Sequence, residues 1–147
     1  MKLSTRSQYG TRALLDLALH GNGKPVQLKS IARRQQISRP YLEHLVASLV
    51  GAGILRSARG AQGGVWLARS PRDIKLIEVV SLLEGSMALV ECLNGQGSCP
   101  RSGACAPQDT WDDMRKAMLG VLESTTLQDL VNRHKEKEQQ QSAMYYI

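Results

Sequence analysis

The sequence predicts a mainly α-helical protein with one small β-hairpin, arranged as a winged helix-turn-helix domain followed by a long dimerisation helix. Three features predict it: a pair of short helices before residue 51, a glycine-rich hairpin after it, and a positive charge concentrated in the same half. Residues 1–75 contain thirteen Lys and Arg against three acidic residues, whereas residues 76–147 contain six against ten. This asymmetry indicates that the first half binds a polyanion.

Length and composition limit the class of protein. A chain of 147 residues can form one domain with appended helices, and its core must be aliphatic because there is no Phe and aromatic residues make up 4%. No run approaches the roughly 18 apolar residues of a membrane span, and the N-terminus lacks the features of a secretory signal. We therefore expect a soluble cytoplasmic protein without a membrane partner. Three cysteines in such a chain argue against a disulfide framework.

The first two helices are predicted from caps and spacing. Ser4 is a good N-cap for a helix to about His20, and Gly21–Gly23 would end it. A second short helix is predicted over Lys29–Gln35. The first helix has an apolar face at helical spacing, formed by Tyr9, Ala13, Leu14, Leu17 and Ala18.

A third helix follows after a tight turn. Ser38 is a good N-cap, Pro40 is tolerated in the first turn, and the helix is predicted to end near Val50. Polar side chains lie in and near its first turn, and its buried stripe is predicted to be Leu42, Leu45, Val46 and Leu49. Two such helices predict a helix-turn-helix, whose second helix places its N-terminal turn in the major groove of DNA.

The hairpin comes next. Apolar runs at Ile54–Ala58 and Val65–Ala68 flank a glycine-rich tip, which predicts two strands joined by a turn. Behind a helix-turn-helix this hairpin is a wing, and Arg59 at its tip suits the negative potential of a narrow minor groove. Each piece alone is common, but their order on the basic half predicts binding to double-stranded DNA.

The second half is predicted to be helical outside one loop. Asp73 is expected to cap a helix over Lys75–Glu84, and Thr126 a last helix over Leu127–Lys137. Between them, Thr110–Glu123 is amphipathic, and we expect its apolar face to pack against the same helix of a second subunit. The predicted units are a winged helix-turn-helix domain at 1–75, a linker helix and cysteine loop at 76–108, dimerisation and C-terminal helices at 109–137, and a disordered tail at 138–147.

All three cysteines lie in a loop predicted over residues 91–108. Cys92, Cys99 and Cys105 follow a Cys-x6-Cys-x5-Cys spacing among Gly, Ser, Pro and Asn residues, without helix or strand periodicity. Three thiolates on a flexible loop suit an iron–sulfur cluster or another soft metal, although they are one ligand short of four. Zinc binding and thiol redox sensing remain open on the same residues.

Four stretches resemble one known group of proteins. The opening KLSTRSQYGTRALLDLAL, the segment ISRPYLEHLVASLVGAGIL, the wing RGAQGGVWLA and the cysteine loop are similar to the IscR/NsrR group of winged-helix iron–sulfur regulators, IscR-type members above all. The similarity extends to about Arg133. It implies a homodimeric bacterial transcription factor on two-fold related half-sites, a repressor of cluster-assembly genes without a small-molecule substrate. It also implies a cluster at the three cysteines, 2Fe–2S rather than 4Fe–4S, and DNA contacts by Ser38, Arg39, Pro40, Tyr41, Glu43, His44, Arg59 and Gly60.

Two positions depart from the pattern of this group. Gln108 stands where IscR-like proteins have a His ligand, and Gln8 stands where other relatives have an acid, so the fourth ligand is open, with Asp109, His20 and an exogenous ligand or water as alternatives. Glu43 has two interpretations, as a groove-facing carboxylate that selects bases or as an ion-pair partner of Arg39. An enzyme is not expected, because each His has a place on a helix and there is no phosphate-binding glycine motif.

Overall fold

The computed structural model describes residues 2–95, 99–101 and 103–146. As the sequence predicts, the fold is mainly helical with one two-stranded antiparallel hairpin. No helix in these ranges is long and apolar enough to cross a bilayer. In chain order the elements are α1 (Thr5–His20), α2 (Leu28–Gln35), α3 (Arg39–Gly51), β1 (Leu55–Ala58), β2 (Gly64–Leu67), α4 (Leu76–Glu84), α5 (Ala106–Ser124) and α6 (Leu127–Tyr145), with 3-10 turns at Pro71–Asp73 and Glu91–Leu93.

Helices α1, α2 and α3 pack around one aliphatic core. The predicted cap of α1 is confirmed, because the Ser4 side chain accepts a hydrogen bond from the Ser7 amide. Ser38 occupies the predicted N-cap position of α3 but makes no side-chain capping bond. The predicted stripe of α3 is confirmed, since all four members are buried, and they pack with Leu14 and Ile31.

The wing is attached to the helix pair by a short β-bridge. Strand β1 pairs antiparallel with β2, with Leu55 opposite Leu67. Val26, just before α2, exchanges two backbone hydrogen bonds of 2.9 Å with Val65 on the outer edge of β2. Gly64 is required here, because a Cβ at this position would overlap the Val26 carbonyl. The start of α2 and the wing therefore hold a fixed spacing.

Helix α4 packs across α1 and extends the core past residue 75. Val79, Val80 and Leu83 are buried, and Leu83 fills the space that a Cβ at Gly10 would need. The predicted cap of this helix is wrong. Asp73 lies in a 3-10 turn, and Lys75 is the N-cap residue of α4 without a side-chain capping bond. The start is fixed instead by tertiary pairing, as the Leu76 amide donates to the Thr125 carbonyl.

Helix α6 returns to this core. Thr126 and Asp129 form a reciprocal capping box, and Leu127 and Val131 are buried. The predicted end near Lys137 is wrong, because the helix continues to Tyr145. Residues 138–144 are Glu, Gln, Ser, Ala and Met, without the Gly or Pro that would end a helix, and most of them are strong helix formers. Only Ile147 of the predicted tail lies outside the described residues.

Helix α5 differs from the other helices because none of its nineteen residues is buried. It begins at Ala106 rather than near Thr110, since Pro107 fits the first turn of a helix. The predicted loop therefore ends at Cys105, and its residues 96–98 and 102 lie outside the described part of the chain. The helix contacts α4 on one side and leaves Trp111, Met114 and Val121 exposed on another.

Candidate DNA interface and cysteine segment

The predicted groove-reading residues lie on one exposed surface at the start of α3. Ser38 is the N-cap, and Arg39, Pro40, Glu43 and His44 are exposed. Their exposure follows from helix periodicity, since the opposite face of α3 lies in the core. The backbone groups at the start of this helix also have no side-chain cap. This turn has free polar groups to contact a nucleic acid.

Glu43 forms an ion pair with Arg39 one turn earlier. The Arg39 Nε lies 3.1 Å from Glu43 Oε1, and the two side chains are 63% and 52% exposed. The ion-pair interpretation of Glu43 is therefore confirmed for the free protein. A pair this exposed contributes at most about 1 kcal/mol, so a nucleic acid could separate it at little cost.

Tyr41 is half-buried and packs against α1. Its ring meets that of Tyr9 edge to face, with 5.9 Å between the centroids and 88° between the planes. The Arg12 guanidinium lies 5.2 Å from the centroid of Tyr9 and bonds the side chain and carbonyl of Gln35. This packing joins α1, α2 and the start of α3, so it fixes where the exposed turn points.

A buried carboxylate between α1 and α2 was missed by the sequence reasoning. Asp16 accepts two hydrogen bonds from Arg34, at 2.9 and 2.6 Å, and one from Gln35 at 3.0 Å. Burial alone would raise the pKa of Asp16, but these hydrogen bonds and the charge of Arg34 outweigh it and hold the pKa below its ordinary value. The signal was present in the sequence, since Asp16 falls between Ala13 and Leu17 on the apolar face of α1.

The wing tip faces the start of α2 across an open cleft. Arg59 and Gly60 are exposed at the tip, and Gly60 has a left-handed φ of 105°. A cleft of about 350 Å³ separates the tip from the helices and is lined by Gln27, Lys29 and Arg39 on the helical side. The sequence reasoning had not selected Gln27 or Lys29. Their position became evident only when the fold brought α2 beside the wing.

We name residues 91–105 the cysteine segment. Cys92 is exposed in a 3-10 turn that contacts α5, and Cys99 and Cys105 are partly buried. Cys105 is the N-cap residue of α5. All three thiols are free, but within the described residues no three His, Cys, Asp or Glu side chains are close enough together to hold a metal ion.

The donor set of this segment fits an iron–sulfur cluster by its chemistry. Three unpaired thiols are the ligands such clusters take, and the positive end of the α5 dipole beside Cys105 favours an anionic sulfur ligand. Of the candidate fourth ligands, Gln108 and Asp109 lie in the first turn of α5. The other candidate, His20, is on a different helix. It lies at the far end of α1, about 24 Å along the axis from Ser4, which contacts the end of α4.

Comparisons with known proteins identify relatives over nearly the whole chain. A family model described as Rrf2, iron-dependent transcriptional regulator, matches residues 3–133. The protein Rrf2 of Nitratidesulfovibrio vulgaris is 47% identical over 89% of this chain and 87% of its own length. The structure of CymR, the global cysteine regulator of Bacillus subtilis, has a TM-score of 0.76 at 37% identity over 90% of this chain and 98% of its own. That of IscR from T. potens has a TM-score of 0.76 at 40% identity, covering 93% and 90%.

Proposed function

This chain belongs to the Rrf2 family of transcriptional regulators, and from that premise we propose that it is a repressor whose DNA binding is controlled by an iron–sulfur cluster at Cys92, Cys99 and Cys105. The family regulates transcription by binding DNA and is not enzymatic. The fold agrees with that role, because its structural neighbours are winged-helix regulators of this family. What the proposal adds is the contact surface, the cofactor and the target genes.

The DNA contacts are assigned to two exposed features of the basic half. The first turn of α3, with Ser38, Arg39, Pro40, Tyr41, Glu43 and His44, enters the major groove, and Arg59 and Gly60 of the wing enter the adjacent minor groove. The single observation that supports this most is the joint exposure of the polar face of that turn and the wing tip, while the apolar face of α3 is buried in the core.

In this proposal the DNA-binding unit consists of two copies of the chain. The apolar stripe of α5 is left exposed, and a helix of this kind is stabilised when it packs against another apolar face. Two copies of α5 packed together would relate two recognition helices by a two-fold axis. The helices must lie about 34 Å apart to enter successive major grooves on one side of the duplex. The homodimer therefore requires two-fold related half-sites.

The cysteine segment connects the cofactor to that dimer. A bound cluster, with the 2Fe–2S type favoured, supplies an iron- and redox-dependent link between the three sulfur atoms. Cys105 occupies the N-cap position of α5 and the turn containing Cys92 contacts the same helix, so a constraint on these sulfurs would act directly on the start of the proposed dimer helix. A change at the start of α5 would then change the spacing between the two recognition helices of the dimer. Similarity to IscR supports cluster-assembly genes as targets.

The decisive experiment measures cofactor and DNA binding in one preparation. Protein purified without oxygen should be coloured, contain iron and sulfide, and bind a selected duplex with an affinity that changes at least tenfold when the cluster is removed. In the same assay Arg59→Ala should weaken binding, whereas Arg72→Ala, an exposed arginine outside the wing, should not. Equal affinity of the loaded and cluster-free forms would refute control by the cluster.

A second candidate retains DNA binding and replaces the cofactor. The three thiols are free and, within the described residues, not gathered around one point, and one relative is a global cysteine regulator. In this alternative the thiols bind zinc or respond to oxidants. A colourless protein with stoichiometric zinc, or DNA binding that switches with an oxidant and a reductant at unchanged iron content, would favour it.

A further inference from the structure

The cleft between α2 and the wing contains a cation, Lys29, that the proposed contacts do not use. We propose that it seats one phosphate of the DNA backbone, with Lys29 as its principal charged ligand and Arg39 as a second cation on the same helical side. This inference rests on the proposed placement of α3 and the wing in adjacent grooves. It adds a contact that sets affinity and register rather than sequence preference.

The position of the cleft is the first argument. The major and minor grooves of a duplex are separated by a sugar–phosphate strand. A protein with its recognition helix in one groove and its wing in the next must let that strand pass between them. The cleft lies at that place, because Arg39 opens α3 on one side and Gly60 and Ala61 form the wing tip on the other. Its volume of about 350 Å³ leaves room for a phosphate group of that strand.

The charge of the walls is the second argument. None of the residues lining this cleft is acidic, and two are cations. Lys29 is exposed and forms no ion pair among the described residues. Arg39 bonds Glu43 through Nε, so its terminal nitrogens remain available for another acceptor. Phosphate oxygens are the acceptors that DNA would present there.

The walls are also held at a fixed distance. Gln27, at the N-cap of α2, makes no capping bond and donates its side-chain amide to the Ala61 carbonyl of the wing at 3.4 Å. The bridge between Val26 and Val65 fixes the wing at its base. A preformed cleft loses little conformational freedom when a phosphate enters.

The test measures affinity against salt concentration on two duplexes, one selected by the wild-type protein and one unrelated. Lys29→Gln should weaken both by the same factor, about three- to tenfold at physiological salt, and lower the slope of log affinity against log salt by about one. Lys29→Arg should restore the slope because it keeps the charge. Lys75→Gln is the matched control, an exposed lysine at the start of α4 outside the cleft.

Two results would overturn the inference. One is a salt slope for Lys29→Gln equal to that of Lys75→Gln. The other is a loss confined to the selected duplex, which would make Lys29 a reader of bases. Failure of the groove assignment itself would look different, because the wild-type protein would then bind both duplexes equally and Arg59→Ala would have no effect.

Discussion

Helices α3 and α5 have similar amphipathic sequences, but only the apolar stripe of α3 is buried. Both have an apolar stripe at helical spacing and charged residues on the other face. In α3 the four stripe residues are buried against α1 and α2. In α5 no residue is buried, and Trp111 and Val121 remain 41% and 64% exposed. The stripe of α3 therefore finds a packing partner within the chain, whereas the stripe of α5 does not.

The difference separates what the chain does alone from what it does with a partner. The recognition helix is positioned by its own core, by the Tyr9–Tyr41 contact and by the wing bridge. The orientation of α5 depends on one neighbouring helix and the cysteine segment, so an outside contact can change it. If α5 forms the proposed dimer contact, a fixed recognition helix joined to an adjustable α5 would be a physical basis for regulating DNA binding.

The largest expected effect is on the buried stripe of α3. Leu42→Ala removes a fully buried side chain from α3 and should lower the free energy of unfolding by about 2–5 kcal/mol. Val121→Ala on α5 should change it by less than about 0.5 kcal/mol at concentrations where the chain is monomeric. Urea unfolding followed by circular dichroism measures both. If both substitutions lowered the free energy of unfolding by similar amounts, the stripe of α5 would be as well packed as that of α3, which would contradict the comparison.

The next effect concerns the buried carboxylate that holds α2 to α1. Asp16→Asn leaves Arg34 without its partner and should cost roughly 2–3 kcal/mol, less than a fully buried pair because Arg34 remains a third exposed. The lowered pKa of Asp16 means that its contribution is present above the ordinary carboxyl value of 3.8 and is lost as the pH falls through the folded-state pKa. Arg34, Gln35 and His20 are the groups that face it.

The pH dependence provides the check. The difference in unfolding free energy between wild type and Asp16→Asn should be constant near neutral pH and shrink in acid below about 3.8. The exposed ion pair between Asp112 and Arg115 on α5 offers a matched control. Asp112→Asn should change stability by less than Asp16→Asn at every pH. A larger effect on α5 would contradict the comparison.

The third effect tests the exposed stripe. Trp111→Ala should weaken dimerisation by at least about 2 kcal/mol, which is some thirtyfold in the dissociation constant, because large aromatic side chains dominate such contacts. Unfolding of the winged-helix half should be unchanged. Sedimentation velocity measures the dimer, and Lys135→Ala on the exposed part of α6 is the control. A dimer as tight as wild type would place the interface elsewhere.

Local signals predicted the elements of the first half well. The Ser4 cap, the α3 stripe and the hairpin depend on short-range spacing, and all three are present. Two of the failures have tertiary causes. Asp73 has the right residue type for a cap, but pairing of Leu76 with Thr125 sets the start of α4. Asp16 on an apolar face could be recognised as a buried ion pair only after α2 brought Arg34 beside it.

The candidate sites were predictable in part for the same reason. The residues of the α3 turn and the wing follow from local sequence, although their contacts with DNA remain a prediction. Lys29 could not be selected, because its place depends on the bridge that brings the wing to α2. The three cysteines share one segment by sequence, but a spacing pattern does not fix the relative positions of sulfurs in a loop.

The smallest expected effect is at the N-terminus of α6, which follows α5 and pairs with the start of α4. Thr126 caps α6 in a reciprocal box with Asp129, and the adjacent backbone of Thr125 and Leu127 pairs with Leu76 and Ile74 around the start of α4. Thr126→Ala should cost about 1 kcal/mol, because it removes a capping hydrogen bond and leaves the backbone pairing in place. Gln128→Ala, also in the first turn of α6, is the matched control and should cost less. If hydrogen exchange then rose in α6 alone, the effect of the cap would be local, whereas a parallel rise in α4 would mean that the backbone pairing transmits the perturbation from the start of α6 to α4.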